Sequence, residues 1–372
     1  MASPSSPTIP AAGPAAPVRL DQAPPARMSW RGDLVTVILS AWLIGGLFID
    51  GWAHNTRPQL ETFFTPWHAV FYSGFAASAA WMAWSVWSRR RAGAAWRASV
   101  PAGYGPALAG LVLFGASGVG DMAWHLAFGI ERNIAALLSP THLGLFTGAF
   151  LVVTAPLRSA WADPGLGRRV RFGRLAPAVV SATLAGSLCG FMFMYLHPAY
   201  ENIVSVGRQA FLEQFFTSAQ LEFVAKQNVA GGVAGFMLGT VFLLGPVLYL
   251  LRRWDLPAGT VLVVAGAQFV LIQGLTGFED AGLAVLGLAG AVGVELLLRA
   301  LRPRPSSLLR LRGFCAGAPV VLWGVWFAGI ALHDHGLGWK AEIWGGALVW
   351  SGLTLLALSL LLLPAPVPAE RA

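Results

Sequence analysis

The chain has 372 residues, of which 56% are hydrophobic and only 11% charged, with a formal charge of +8; an ordinary soluble domain carries about 25% charged residues. This composition excludes a soluble globular protein of normal make-up. It does not indicate nucleic-acid binding either, because the basic residues sit in short loops between apolar blocks and not on one face of a soluble domain.

Residues 1–28 are built mainly from Pro, Ala and Ser, which cannot bury enough apolar surface to fold, so they are expected to form a disordered tail. Beyond Trp30 the apolar blocks reach the roughly 20 residues that a membrane span needs. They predict helices near 34–53, 66–87, 105–126, 140–157, 175–196, 229–251, 258–277, 281–300, 313–333 and 342–363. The expected fold is all-α: a polytopic transmembrane helical bundle of about ten spans, forming one domain over residues 29–364, with a short tail at 365–372. Residues 199–228 carry Phe211, Phe215, Phe216 and Phe223 among charges and read as an amphipathic helix lying over one membrane surface. Cys189 and Cys315 fall inside apolar blocks and read as small packing residues.

Arginine and lysine are retained on the cytoplasmic side of a bilayer. With the N-terminus inside, the tails and the even-numbered loops hold 20 of the 25 basic residues, including Arg89, Arg90 and Arg91 and the cluster from Arg168 to Arg174. The sequence therefore predicts a multi-pass protein with both termini cytoplasmic. Arginine far exceeds lysine, and Ala and Gly abound, as expected of a GC-rich bacterial genome and hence of a bacterial inner membrane. All seven histidines and 11 of the 17 carboxylates then lie at or near the outer face.

The informative feature occurs twice: Asp50-x3-His54-x13-His68 in the hairpin 34–87 and Asp121-x3-His125-x16-His142 in the hairpin 105–157. Thr65-Pro66-Trp67-His68 aligns with Ser139-Pro140-Thr141-His142, Tyr72-Ser73-Gly74 aligns with Phe146-Thr147-Gly148, and Trp52 and Trp124 fall within each Asp-to-His turn. This pattern predicts an internal duplication of a two-helix unit. Asp and His four residues apart share one helix face, at the helix end where the dipole favours a cation. Thr65 and Ser139 suit the N-cap and the following prolines the first helical position, which puts His68 and His142 in the first turn, where the positive pole favours neutral imidazole.

Two imidazoles and one carboxylate around open positions suit an exchangeable or catalytic transition metal more than a closed structural site. Copper is favoured, with iron and zinc compatible. Secondary candidates are Glu61 and Glu131 in the two connecting loops, His197 before Pro198, and His333 and His335 at the end of the ninth expected span.

Asp50-x3-His54-x13-His68 resembles the Asp-x3-His-x12-His copper motif of the membrane-embedded C subunit of particulate methane and ammonia monooxygenases, with one residue more between the histidines. The resemblance implies that Asp50, His54 and His68 are copper ligands and that oxygen-dependent oxidation is the chemistry. The residues alone do not decide whether the chain is an enzyme. They are compatible with redox or oxygenase-type chemistry at the outer face, with metal acquisition, delivery or transport without catalysis, with haem or quinone binding, and with a structural membrane subunit. Expected partners are the lipid bilayer, other membrane subunits and a periplasmic metal or redox protein.

Overall fold

Several helices of this chain start at a hydroxyl cap. In the computed structural model, which describes residues 26–57, 64–129, 134–333 and 336–361, Ser29 accepts the Gly32 N–H at 3.1 Å and opens α1 (Trp30–Thr56). Thr65 accepts the His68 N–H at 3.1 Å and opens α2 (Pro66–Arg91), where Pro66 fills a first-turn position that has no helical partner for an N–H. The short α3 (Trp96–Ser99) leads to α4 (Gly105–Phe128), and the short α5 (Ile134–Leu138) leads to α6 (Pro140–Val153). Ser139 caps α6 through the His142 N–H at 3.2 Å, as Thr65 caps α2. Pro156, which has no N–H to give, stands where α6 passes through Thr154 into α7 (Ala155–Ala162).

The second half comprises α8 (Phe172–Met192), α9 (Val206–Phe215), α10 (Ser218–Leu251), a π turn (Leu262–Gly266) continuing into α11 (Ala267–Gly274), α12 (Ala281–Leu301), α13 (Leu308–His333) and α14 (Ala341–Leu361). Among the described residues there is no strand, only isolated bridges.

Among the described residues, eight helical segments are long and apolar enough to cross a membrane: Trp30–Thr56, Gly105–Phe128, Pro140–Ala162, Phe172–Met192, Gln220–Leu251, Ala281–Leu301, Leu308–His333 and Ala341–Leu361. The sequence predicts ten; the other two are 66–87 and 258–277. The first forms α2, which is 26 residues long but carries serines, His68 and the Arg89–Arg91 run, so its mean hydropathy is low. The second is shortened to Leu262–Gly274, because the chain enters it through Pro257 and a left-handed Gly259. The expected amphipathic helix over 199–228 is divided. Its first part gives α9, and its end is absorbed by α10, whose 34 residues span about 51 Å, well beyond the roughly 30 Å of a hydrocarbon core.

α8 is the most enclosed span, with 78% of its apolar stretch buried. It packs against α1, α6, α7, α10 and α11, and so joins the first half of the chain to the second. The most extensive helix contacts are α1 with α2 and α4 with α6, and glycines permit both. A side chain at Gly74 would fall 2.7 Å from the Leu43 backbone, and one at Gly148 would fall 2.7 Å from the backbone of Gly110 and Phe114. In a membrane, such contacts between small residues replace the hydrophobic effect as the force that pairs helices.

At the arginine-bearing end, Asp33 is buried and fully engaged. Tyr104 donates to its Oδ1 at 2.7 Å and Ser159 to its Oδ2 at 3.0 Å. This node ties α1 to α7 and to the start of α4.

Candidate metal centre

Each helix pair brings three side chains together at the end opposite Asp33. In the first, Asp50 and His54 lie one turn apart near the end of α1, while His68 projects from the first turn of α2. Asp50 Oδ2 stands 3.8 Å from His54 Nε2, and Asp50 Oδ1 stands 3.2 Å from His68 Nδ1. In the second, Asp121 Oδ2 is 3.4 Å from His125 Nε2, and Asp121 Oδ1 is 3.5 Å from His142 Nδ1. The imidazoles of each pair meet edge to face, with centroids 5.5 Å and 6.0 Å apart.

These spacings suit a shared ion. Ligand atoms about 2.0–2.1 Å from a tetrahedral metal stand about 3.3 Å from one another, and the carboxylate–imidazole separations scatter around that value. In each group one atom from each side chain lies within 4.8 Å of the others. Both groups therefore have the donors and the spacing to hold a metal ion.

Neighbouring groups orient these side chains. His125 Nδ1 faces the Gly129 carbonyl at 3.2 Å, which leaves Nε2 turned to the carboxylate. A ring nitrogen held in this way is the usual support for a metal-bound histidine. Thr65 Oγ1 lies 2.9 Å from His68 Nδ1, and Ser139 Oγ lies 2.6 Å from His142 Nδ1, so each N-cap hydroxyl meets the same ring nitrogen that faces the carboxylate, three residues on. Asp121 accepts a further bond from Thr141 at 2.9 Å. Asp50 Oδ1 is buried and, despite its closeness to His68, accepts no hydrogen bond from the described residues. An ion would satisfy it.

Both groups line one cavity of about 410 Å³. Its wall includes Tyr72, whose ring is stacked over His68 with centroids 6.2 Å apart, together with Arg57, Met192, Met194 and the apolar side chains of Phe71, Phe114 and Phe191. Sequence reading pairs Tyr72 with Phe146 as repeat positions but assigns neither a role. The available signal is spacing: Tyr72 follows His68 by one helical turn and faces the same way. Arg57 follows His54 by three residues and is signalled in the same manner.

Of the secondary candidates, His197 and His333 do not join these groups. His197 is buried at 5% exposure, its Nδ1 accepts the Ala199 N–H at 3.1 Å, and its ring packs edge-on against Phe269. Burial pushes its imidazole down to about 3, so it is a neutral, internally bonded side chain. His333 is exposed at the end of α13, beside Gly282 of α12. Glu61, Glu131 and His335 lie outside the described residues.

Fold and site together define an apolar helical membrane protein with two Asp/His groups that could hold a metal ion. No family model matches the chain, and no curated protein or solved structure matches it.

Proposed function

We propose that this is a membrane metalloprotein that holds one transition-metal ion at Asp50, His54 and His68 and another at Asp121, His125 and His142. The observation that carries the proposal is the presence of two carboxylate–imidazole–imidazole groups, at matching separations, on the wall of a single cavity. Copper is the favoured ion, since the thioethers of Met192 and Met194 line the same cavity and soft sulfur ligands suit Cu(I), while imidazoles suit copper, iron and zinc alike. With two imidazoles and one carboxylate as ligands, a bound ion keeps open positions and supplies redox or oxygenase-type chemistry. The resemblance of Asp50-x3-His54-x13-His68 to the monooxygenase copper motif points the same way.

The two helix pairs are proposed to descend from one duplicated unit. Gly74, six residues after His68, packs on Leu43, seven before Asp50; Gly148, six after His142, packs on Phe114, seven before Asp121. The excess of arginine at the opposite end supports an outward-facing cavity, cytoplasmic termini and a bacterial inner membrane, where partner membrane subunits or a periplasmic redox protein would meet it.

A second reading, metal acquisition or delivery without catalysis, draws support from His54, whose side chain is 35% exposed and offers a route for ion exchange. Copper loading in nanodiscs separates the readings. Catalysis calls for two ions per chain, imidazole-nitrogen couplings in the electron paramagnetic resonance spectrum, and reduction and reoxidation by oxygen without loss of metal. Release of the ion at each reduction favours delivery, and a spectrum without nitrogen coupling rejects both.

A further inference from the structure

The cavity shared by the two groups is larger than two ions need. At about 410 Å³ it falls in the size range of small-molecule sites. It also continues past the Asp/His belt: Phe114 stands seven residues before Asp121 on α4, and Ala149 seven residues after His142 on α6, each about 10 Å deeper at 1.5 Å per residue. This floor is apolar, and Phe71, Phe114 and Ala149 are all buried.

The mouth has the opposite character. Arg57, the residue that closes α1, lines the cavity with its guanidinium carbon 5.3 Å from the Trp52 ring and 5.5 Å from the Trp67 ring. The two indoles meet edge to face at 5.5 Å. Both belong to the metal-site segments, since Trp52 lies between Asp50 and His54 and Trp67 precedes His68. Stacking on rings holds a guanidinium while leaving its in-plane N–H donors to an acceptor, ideally a carboxylate. Among the described residues no carboxylate forms an ion pair with Arg57. Charge argues in the same direction in the oxidised state: a divalent ion more than offsets each aspartate, the cavity is then positive, and Arg57 adds to that field.

We propose that the cavity binds an organic anion, with a compact apolar body on the Phe71, Phe114 and Ala149 floor and a carboxylate on Arg57, so that the middle of the molecule passes the Asp/His belt. The site stands on Arg57 and the floor, and it rests on the metal reading for the added positive charge. A cation would be repelled at the mouth, and a short anion would leave the floor empty.

The test is calorimetric titration of the full-length protein in nanodiscs, against empty discs, with 3-phenylpropanoate, 3-phenylpropylamine and acetate. The acid should bind at least 10-fold more tightly than the amine or acetate. Arg57→Gln, an exposed substitution, should weaken the acid at least 10-fold, and Arg57→Lys should weaken it less. Ala149→Phe should remove binding of the acid while metal content, measured on the same sample, stays at the wild-type value. Equal binding of acid and amine, or an Arg57→Gln protein that binds as well as wild type, overturns the proposal. A sample that lacks metal yet binds the acid through Arg57 overturns the metal reading alone.

Discussion

Thr141 donates its hydroxyl to Asp121 Oδ1 at 2.9 Å, and among the described residues Asp50 Oδ1 has no counterpart to this bond, because Trp67 occupies the place before His68 that Thr141 holds before His142. The two Asp/His groups are therefore alike in side chains and unlike in support. Bonds that orient a metal ligand are worth about 10–100-fold in affinity. Thr141→Val should weaken one of the two ions by about 10-fold and leave the other unchanged, so that titration against a competing chelator shows two steps drawn apart.

Thr65 and Ser139 each serve two groups, capping a helix and holding an imidazole. Loss of such a cap costs about 0.5–2 kcal/mol. Ser139→Ala should lower the thermal midpoint and weaken metal binding together, whereas Ser139→Thr should restore both. Thermal unfolding and metal titration of the same preparations check the pairing.

At the far end, Tyr104→Phe removes the donor to Asp33 Oδ1 and leaves a buried acceptor unsatisfied. The expected cost is about 1–3 kcal/mol, with metal stoichiometry unchanged. Denaturation in mild detergent beside metal analysis would show this separation of stability from the site.

His197 supplies a pH dependence. Its folded imidazole is pushed down to about 3 by burial, against about 6.5 for an unfolded histidine. Between these values the unfolded chain binds a proton that the folded chain does not, so stability falls as pH drops below about 6.5 and the loss is complete near 3. Above pH 7 the group contributes no pH dependence. His197→Asn should flatten the stability profile between pH 6.5 and 4 relative to wild type, as read from paired melts.

Much of the site is legible in sequence because it is local. Asp50 and His54 share a face through a fixed helical offset, and Thr65-Pro66 announces the helix start that places His68. The meeting of His68 with Asp50 follows once α1 and α2 form a hairpin. Residues placed by packing alone were harder to see. Met192, the last residue of the central α8, and Met194, in the turn just beyond it, come to the cavity, and nothing in their local sequence points to the hairpins. Tyr104, Ser159 and Asp33 converge from three distant segments. The count of spans diverged where composition and backbone disagree: α2 is long but diluted by polar side chains, and the segment before Ala267 is apolar but shortened by Pro257 and a left-handed Gly259. Glu295 and Arg299, four residues apart on one helix, form the ion pair that their spacing predicts.

Asp50, His54 and His68, and Asp121, His125 and His142, are proposed to hold transition-metal ions. Metal content of protein purified from its own membranes tests this most directly, comparing wild type, the His54→Ala/His125→Ala double variant and His197→Ala at matched membrane expression. About two ions per chain are expected in wild type, nearly none in the double variant, and nearly the full complement in His197→Ala, whose imidazole faces neither group. Full metal content in a well-expressed double variant would contradict the proposal.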